Sequence, residues 1–356
     1  MSRDAQPGDN ISVQYTGIYR NNRTSFEIYS YTAAGSEFLR EDGEAGLSLL
    51  REKLCCGQLV WANIIGLDSP WLISAACAEV GLPPLLMEDV VHVGQRSKLE
   101  KFEGLMFATV IMVSHDRSLW QAQGTMDIEH EHISIVLTRS AVITFQERPG
   151  DVFAGVRHRL EQENGSMRSS GSDYLFYSLL DALVDQQLEI IHMVGAEVDG
   201  CEKEFVEDGK ISLSRLYHIR KELLLMRSSS FPLRDIVMSL LSPDADLIGG
   251  EVKTSLRDVY DHVAQVADLV NLNRELVNNL YEMHMLDTNN NMNRVMTTLT
   301  VFSAIFIPLN FLAGFFGMNF HVFPGLSSPL GIPVVIAVCA ALAAGMVYLF
   351  RSRGWF

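Results

Sequence analysis

Six consecutive residues, Phe315-Phe316-Gly317-Met318-Asn319-Phe320, close one long apolar run and precede another. The Asn319 side chain and the main-chain carbonyls around it offer neutral oxygens, with no charged residue nearby. A ring of such oxygens can hydrogen-bond the water shell of a hydrated divalent cation, whereas a ring of charged groups would hold the ion too tightly to release it. The run before the triplet carries matching marks. Asn293, Met296, Thr300, Ser303, Ile307, Asn310 and Gly314 recur at intervals of three and four, so a helix places them on one face. An unpaired Asn is costly in lipid, so Asn310 is expected to point inward. Such a face suits a water-filled path, or it glues helices together by hydrogen bonds.

The elements that position these residues follow from charge and length. Val295–Met318 has no charged residue over 24 positions and Gly331–Phe350 has none over 20. Each can cross a hydrocarbon core of ~30 Å, which takes about 20 helical residues. Arg351 and Arg353 after the second run place the C-terminus on the cytoplasmic side. Two spans then put the residues before about 290 on that side too, and the loop holding Asn319 outside. Two helices cannot enclose a conduit, so a path needs several copies of the chain. The second run is rich in Ala and Val, without a polar face, and suits an outer helix.

The rest of the chain of 356 residues is acidic. All 43 Asp and Glu lie before residue 294, together with all but three of the 28 Lys and Arg. This balance argues against nucleic acid, which needs a basic footprint, and suits cations. The five cysteines show no Cys-x-x-Cys and fit a reduced compartment. Met1–Asn10 is polar and is not expected to be a signal peptide. No nucleotide loop, catalytic triad spacing or His-rich metal motif appears, so an enzyme is not expected.

Residues 1–150 read as an α/β domain. Strands are expected at Ile11–Thr16, Gln58–Ile64, Leu105–Val113, His132–Leu137 and Ala141–Phe145, and a helix over Trp71–Val80 led by Ser69-Pro70 and stopped by Gly81. Residues 151–250 read as a helical hairpin after linker-like Asn164-Gly165 and Ser169–Ser172: Tyr174–Glu207, a turn at Asp208-Gly209, then Ser212–Leu241 with Pro232 as a kink or break. From Val252 to about Met318 there is no Gly before Gly314 and no Pro before Pro308. This predicts one stalk helix on the order of 100 Å long, continuing into the first span. Val259, Val263, Val266, Val270, Asn273, Val277, Leu280 and His284 keep near-heptad spacing, a seam expected to need neighbours, most simply copies of itself. The organisation is thus a cytoplasmic domain over 1–150, the hairpin over 151–250, stalk and first span over 251–318, an external loop over 319–330, a second span over 331–350 and a basic cytoplasmic tail over 351–356.

With these residues in place the chain resembles the CorA family of magnesium/cobalt transporters. The resemblance covers about residues 55–356. It rests on Gly317-Met318-Asn319 between two C-terminal spans and on Arg257-Asp258-Val259-Tyr260-Asp261-His262 in the stalk. Trp61-Ala62-Asn63-Ile64, Met87-Glu88-Asp89, Gln95-Arg96, Phe145-Gln146-Glu147, Asp181-Ala182-Leu183-Val184-Asp185 and the closing Arg351–Phe356 also fit. It implies a funnel-shaped homopentamer in the bacterial inner membrane that carries Mg²⁺, with Co²⁺ and Ni²⁺ as further ions. The Gly317-Met318-Asn319 ring is then the selectivity filter and the first span lines the pore, with Met296 and Leu299 or Thr300 at a lower constriction and Asn293 at its cytoplasmic edge. The resemblance also implies inhibition by intracellular Mg²⁺ bound between subunits, with Asp89 and Asp258 as regulatory carboxylates and Glu88 and Asp181 nearby. One departure is the outer loop, His321–Ser328, which has no acid where the family usually carries some. His321 there would favour a softer ion. The zinc-transporting ZntB relatives vary the middle of the triplet, so Met318 argues for magnesium. A ZntB-like zinc transporter is the alternative, and a membrane-anchored coiled-coil scaffold a more distant one.

Overall fold

The computed structural model of the chain describes residues 15–20, 23–115, 128–162, 166–209, 211–318 and 330–355. Two compact units result, Met1–Asn279 and Leu280–Phe356. Asn319, the loop through Ser328, Met1–Asn10, most of the strand expected at Ile11–Thr16 and the Asn164-Gly165 linker lie outside the described residues.

The first unit is built on a seven-stranded sheet. Its strands are β1 (Ser25–Thr32), β2 (Gly35–Asp42), β3 (Leu59–Ile65), β4 (Lys98–Phe102), β5 (Leu105–His115), β6 (Ile128–Thr138) and β7 (Ala141–Gln146), in the order β2-β1-β3-β7-β6-β5-β4. Only β3 and β7 run parallel; the other neighbours are antiparallel. The central strands read as almost continuous apolar runs because both faces are covered. Phe107, Val136, Ile143 and Phe145 point to one face, under α1 (Gly43–Cys55), α2 (Pro70–Glu79) and α3 (Pro84–Val91). Ala108, Val110, Ile133, Ile135 and Val142 point to the other, under the helices that follow.

Those helices are α4 (Ala154–Glu161), α5 (Ser172–Asp208), α6 (Leu213–Leu240) and α7 (Gly250–Phe316). Gly209, at φ +63°, closes α5 with the left-handed residue a glycine adopts freely, and the Ser212 hydroxyl accepts the Arg215 amide to start α6. Of the kink or break expected at Pro232, the break does not occur: α6 runs on through it. Its neighbours Ser229 and Ser230 turn their hydroxyls back onto the Met226 carbonyl, and Leu233, Ile236, Val237 and Leu240 remain buried beyond it. Packing along both halves outweighs the lost backbone bond. The valine seam also differs from expectation. Val252, Leu256, Val259 and Val263 share one core cluster with Leu175, Phe176, Leu179 and Leu183 of α5, and Val266, Val270 and Val277 are buried as well. The seam is therefore covered within one chain.

A buried ion network ties α4 to the sheet. Arg157 binds both oxygens of Asp151 at 2.6 and 2.5 Å, reaches Glu27 at 3.4 Å, and lies over the Trp61 ring. Burial alone would raise the Asp151 carboxyl, but the guanidinium outweighs it and the carboxyl sits below its ordinary value. The stabilisation is therefore present above the ordinary carboxylate range and is lost as pH falls through the lowered value. Removing one partner of a buried pair costs about 3–5 kcal/mol, whereas an exposed pair such as Arg51–Glu79 is worth about 1 kcal/mol or less. Arg157→Ala is expected to lower the thermal midpoint of the first unit clearly, and Arg51→Ala hardly at all, as read by circular dichroism on the purified protein.

Candidate functional site

The second unit holds the C-terminal part of α7 and α8 (Gly331–Ser352), both long and apolar enough to cross a membrane. Most α7 side chains there are exposed, Val295, Phe302, Phe306 and Phe311 among them. Val301 is buried and Ile305, Pro308 and Leu312 are half-buried. The face marked in the sequence is open: Asn293, Met296, Leu299, Thr300, Ile307 and Asn310 are exposed and Ser303 is half-buried. The Thr300 hydroxyl donates to the Met296 carbonyl at 2.8 Å, so its oxygen presents lone pairs outward. An exposed stripe of neutral acceptors among Met, Leu and Ile can contact hydrated cations without binding them tightly. Gly317 closes the helix, its amide donating to Ala313 O at 3.0 Å. A Cβ on Gly317 would stand 3.0 Å from that same carbonyl, so the tight end favours glycine. Met318 is exposed, and Asn319 lies just outside the described residues.

The four acids marked as regulatory fall in two places in the first unit. Glu88 and Asp89 sit on α3, one exposed and one half-buried. Asp89 pairs with Lys98 of β4 at 2.6 Å, and Lys98 also binds Glu100 at 2.6 Å. Beside Asp89, burial holds the His132 imidazole neutral, pushed down to about 4, although Asp89 opposes the shift. Asp181 and Asp258 meet elsewhere, where α5 runs along α7. Asp181 is half-buried, and its carboxyl is raised by burial and by the nearby Asp185 and Asp258, with Arg159 and His262 opposing. Burial, together with Asp181 and Asp258, pushes the Tyr177 hydroxyl up to about 12.

At this second place Asp181, Asp185 and His262 bring one ligand atom each within 4.8 Å of the others. The buried Nδ1 of His262 has no hydrogen-bond partner among the described residues. Asp185 and His262 were not singled out as ligands in the sequence. The signal that could have found them is spacing: Asp181 and Asp185 lie one turn apart on α5, and Asp258 and His262 one turn apart on α7. A raised carboxyl crowded by other acids is the electrostatic signature of a site that gains from a cation.

A model of the "CorA-like Mg2+ transporter protein" family matches residues 57–352. The chain belongs to this family. It is 35% identical over 346 residues to the cobalt/magnesium transport protein CorA of Thermotoga maritima, covering 97% of this chain and 95% of that one. It is 22% identical over 231 residues to the zinc transport protein ZntB of Pectobacterium atrosepticum, covering 63% of this chain and 67% of the relative. Its fold matches the complete structure of the CorA magnesium transporter of Methanocaldococcus jannaschii at a TM-score of 0.73, with 17% identity, 93% of this chain and 98% of that one covered. The α/β sheet domain, the long helix and the two apolar C-terminal helices are thus a CorA fold, and the protein is a divalent-cation transporter of that family.

Metal ions and protons compete for the same carboxylates, so a cation held at Asp181 would bind more weakly as pH falls through its raised value. Calorimetric titration of the purified full chain with Co²⁺ is expected to show binding that weakens as pH falls, starting above the range of ordinary carboxylates. Asp181→Asn is expected to weaken binding and to flatten that pH dependence.

Proposed function

We propose that the chain assembles as a homopentamer in the bacterial inner membrane and lets Mg²⁺, and also Co²⁺ and Ni²⁺, enter the cell down their electrochemical gradient. The observation that carries this reading is the open, uncharged polar face of α7 from Asn293 to Asn310, ending at Gly317-Met318. A lone chain would leave that face against lipid, where Asn310 is costly; five copies turn it toward a shared aqueous axis. Gly317, Met318 and Asn319 form the filter at the outer end, and Asn293, Met296, Leu299 and Thr300 the inner part of the path. A divalent ion gains roughly 4–5 kcal/mol per 100 mV on entering, twice the single-charge value, so no energy-supplying site is required. Both termini are cytoplasmic, consistent with Arg351 and Arg353 after the second span.

Intracellular Mg²⁺ closes the path by binding at the acids of the first unit. Asp258 is exposed beside the Asp181 group, while Asp89 and Glu88 are offered on α3, so one copy's α3 can face another copy's α7 across a shared ion. Empty, these acids repel; occupied, they are bridged, and the difference in binding shifts the population of closed assemblies. The donors suit a hydrated Mg²⁺ through their carboxylates, and His262 adds a nitrogen that favours a softer ion. That nitrogen, with His321 in the sequence of the outer loop, favours the alternative, a ZntB-like preference for Zn²⁺.

The filter assignment is tested by growth of a strain lacking its own magnesium uptake. Asn319→Ala is expected to abolish rescue at low external Mg²⁺ while the protein still reaches the membrane; undiminished rescue would contradict the assignment. For the sensor, Asp258→Ala is expected to keep conducting at internal Mg²⁺ levels that shut the parent. Inhibition identical to the parent would move the sensor away from this residue.

A further inference from the structure

Helix α6 exposes a second face that the fold of one chain leaves unused. Its inner face is buried through Leu216, Ile219, Leu223, Met226 and Leu233. Its outer face carries Arg220, Arg227 and Arg234 at intervals of seven, with Leu224 61% exposed between them. Arg220 and Arg227 have no carboxylate partner among the described residues, Arg234 has its neighbour Asp235 at 3.5 Å, and Arg227 and Arg234 both lie over the Phe231 ring. The stalk carries the mirror image. Opposite its buried valines, Asp261, Asp268 and Glu275 also recur at intervals of seven, all exposed, with Leu272 52% exposed between the last two. None of these three acids has a cationic partner among the described residues. Two ladders of opposite charge with the same spacing, each containing one exposed leucine, stand on one molecule and do not meet within it.

The heights of the two ladders agree. Arg215 binds Glu197 at 2.7 Å and Glu204 at 2.6 Å, which fixes the start of α6 opposite the end of α5. Because the two helices form an antiparallel hairpin with equal rise, Arg220, Arg227 and Arg234 stand roughly level with residues 195, 188 and 181 of α5. The stalk runs parallel to α5: the donor atoms of Asp181 and His262 lie within 4.8 Å, and the Asn273 amide lies 3.5 Å from where a Cβ on Gly195 would stand. Residues 261, 268 and 275 are therefore roughly level with 181, 188 and 195 too. A cyclic assembly relates its copies by rotation without translation along its axis, so groups at equal height stay at equal height in neighbouring copies. With the axis along the stalks, α6 is antiparallel to the next copy's stalk, Arg234 stands level with Asp261, Arg227 with Asp268, Arg220 with Glu275, and Leu224 falls between the same rungs as Leu272.

We propose that the arginine face of α6 in one copy docks on the acidic face of the stalk in a second copy of this chain, in that antiparallel register. The proposal rests on the oligomeric reading above and names a surface that holds its copies together. Single exposed pairs are weak, but three in register around an apolar contact form a network that salt screens. The ladder gives the copies an attractive contact that needs no metal, so loss of the bridging ion loosens the assembly without releasing its members.

The experiment is a cross-link between two differently tagged full-length chains co-expressed in membranes, with the exposed Cys55 and Cys56 replaced by serine. One chain carries Arg227→Cys and the other Asp268→Cys. A disulfide needs its Cα atoms within about 7 Å, and seven helical residues are about 10 Å, so the 227–268 disulfide is expected to be about tenfold stronger than that of Arg227→Cys with Glu275→Cys. Amine cross-linking of the parent chain runs in parallel. Oligomers there without a 227–268 disulfide, or with equal linking of both pairs, would overturn the docking while leaving the oligomer standing. Monomers alone in the amine arm would overturn both. In a second arm, Arg227→Glu is expected to make the detergent-solubilised oligomer more salt-labile, and Arg227→Glu with Asp268→Arg to restore it; failure of the swap to restore it would also count against the docking.

Discussion

Burial of the valine stripe of α7 is the constraint on which the first unit depends. Val259, Val263, Val266 and Val270 leave water completely, and the first two share the core of the long helices. A fully buried valine is worth about 1.5–3 kcal/mol, so four of them fix the rotation of the helix firmly. Once the stripe is inward, periodicity decides the rest. Asp258 and His262 fall at the border with α5, where they crowd Asp181, and Asp261, Asp268 and Glu275 fall outward. A one-residue change in rotation would put carboxylates in the core and valines in water, so the placement of the acids is tied to the packing. The acid cluster is affordable because it sits at the edge, half-exposed, where water and a cation can reach it.

The second unit obeys the opposite rule. Almost none of its apolar surface is buried in one chain, and its polar stripe is as exposed as its apolar one. In water such a surface would aggregate; in lipid the apolar faces are solvated and only the polar stripe still needs company. That unmet need of Asn310 and its neighbours is the physical argument for an assembly around an aqueous axis. It depends on residue types at three- and four-residue spacing.

Much of this was legible in the sequence because it rests on local patterns. The central strands β3, β5, β6 and β7, the proline-led helix α2, the hairpin helices and the unbroken α7 follow from apolar runs, Pro70, Gly81 and Gly209. Strands β1, β2 and β4 were missed: β2 and β4 are edge strands full of charge, Glu-Phe-Leu-Arg-Glu-Asp and Lys-Leu-Glu-Lys-Phe, and edges carry little periodic signal. The partner of the valine seam was misjudged because near-heptad spacing says that a face is buried and not against which helix. That α6 is not broken at Pro232 rests on tertiary packing on both sides of it, which the chain does not display. In the candidate site, the triplet and its polar face were plain, whereas Asp185 and His262 emerge only when two distant helices are laid together.

In the proposed reading the choice of ion turns on donor chemistry: neutral oxygens at Gly317-Met318-Asn319, carboxylates with one imidazole at Asp181, Asp185 and His262, and a following loop whose sequence has no acid. The most direct measurement is ion influx into proteoliposomes holding the purified chain, driven by an inside-negative potential, with Mg²⁺, Co²⁺, Ni²⁺ and Zn²⁺ compared and the Mg²⁺ on the face bearing the first unit varied. Mg²⁺ influx that is fast when that face is free of Mg²⁺ and shuts as Mg²⁺ there rises is the predicted result. Potential-driven influx of Zn²⁺ alone, or Mg²⁺ influx indifferent to Mg²⁺ on that face, would contradict it.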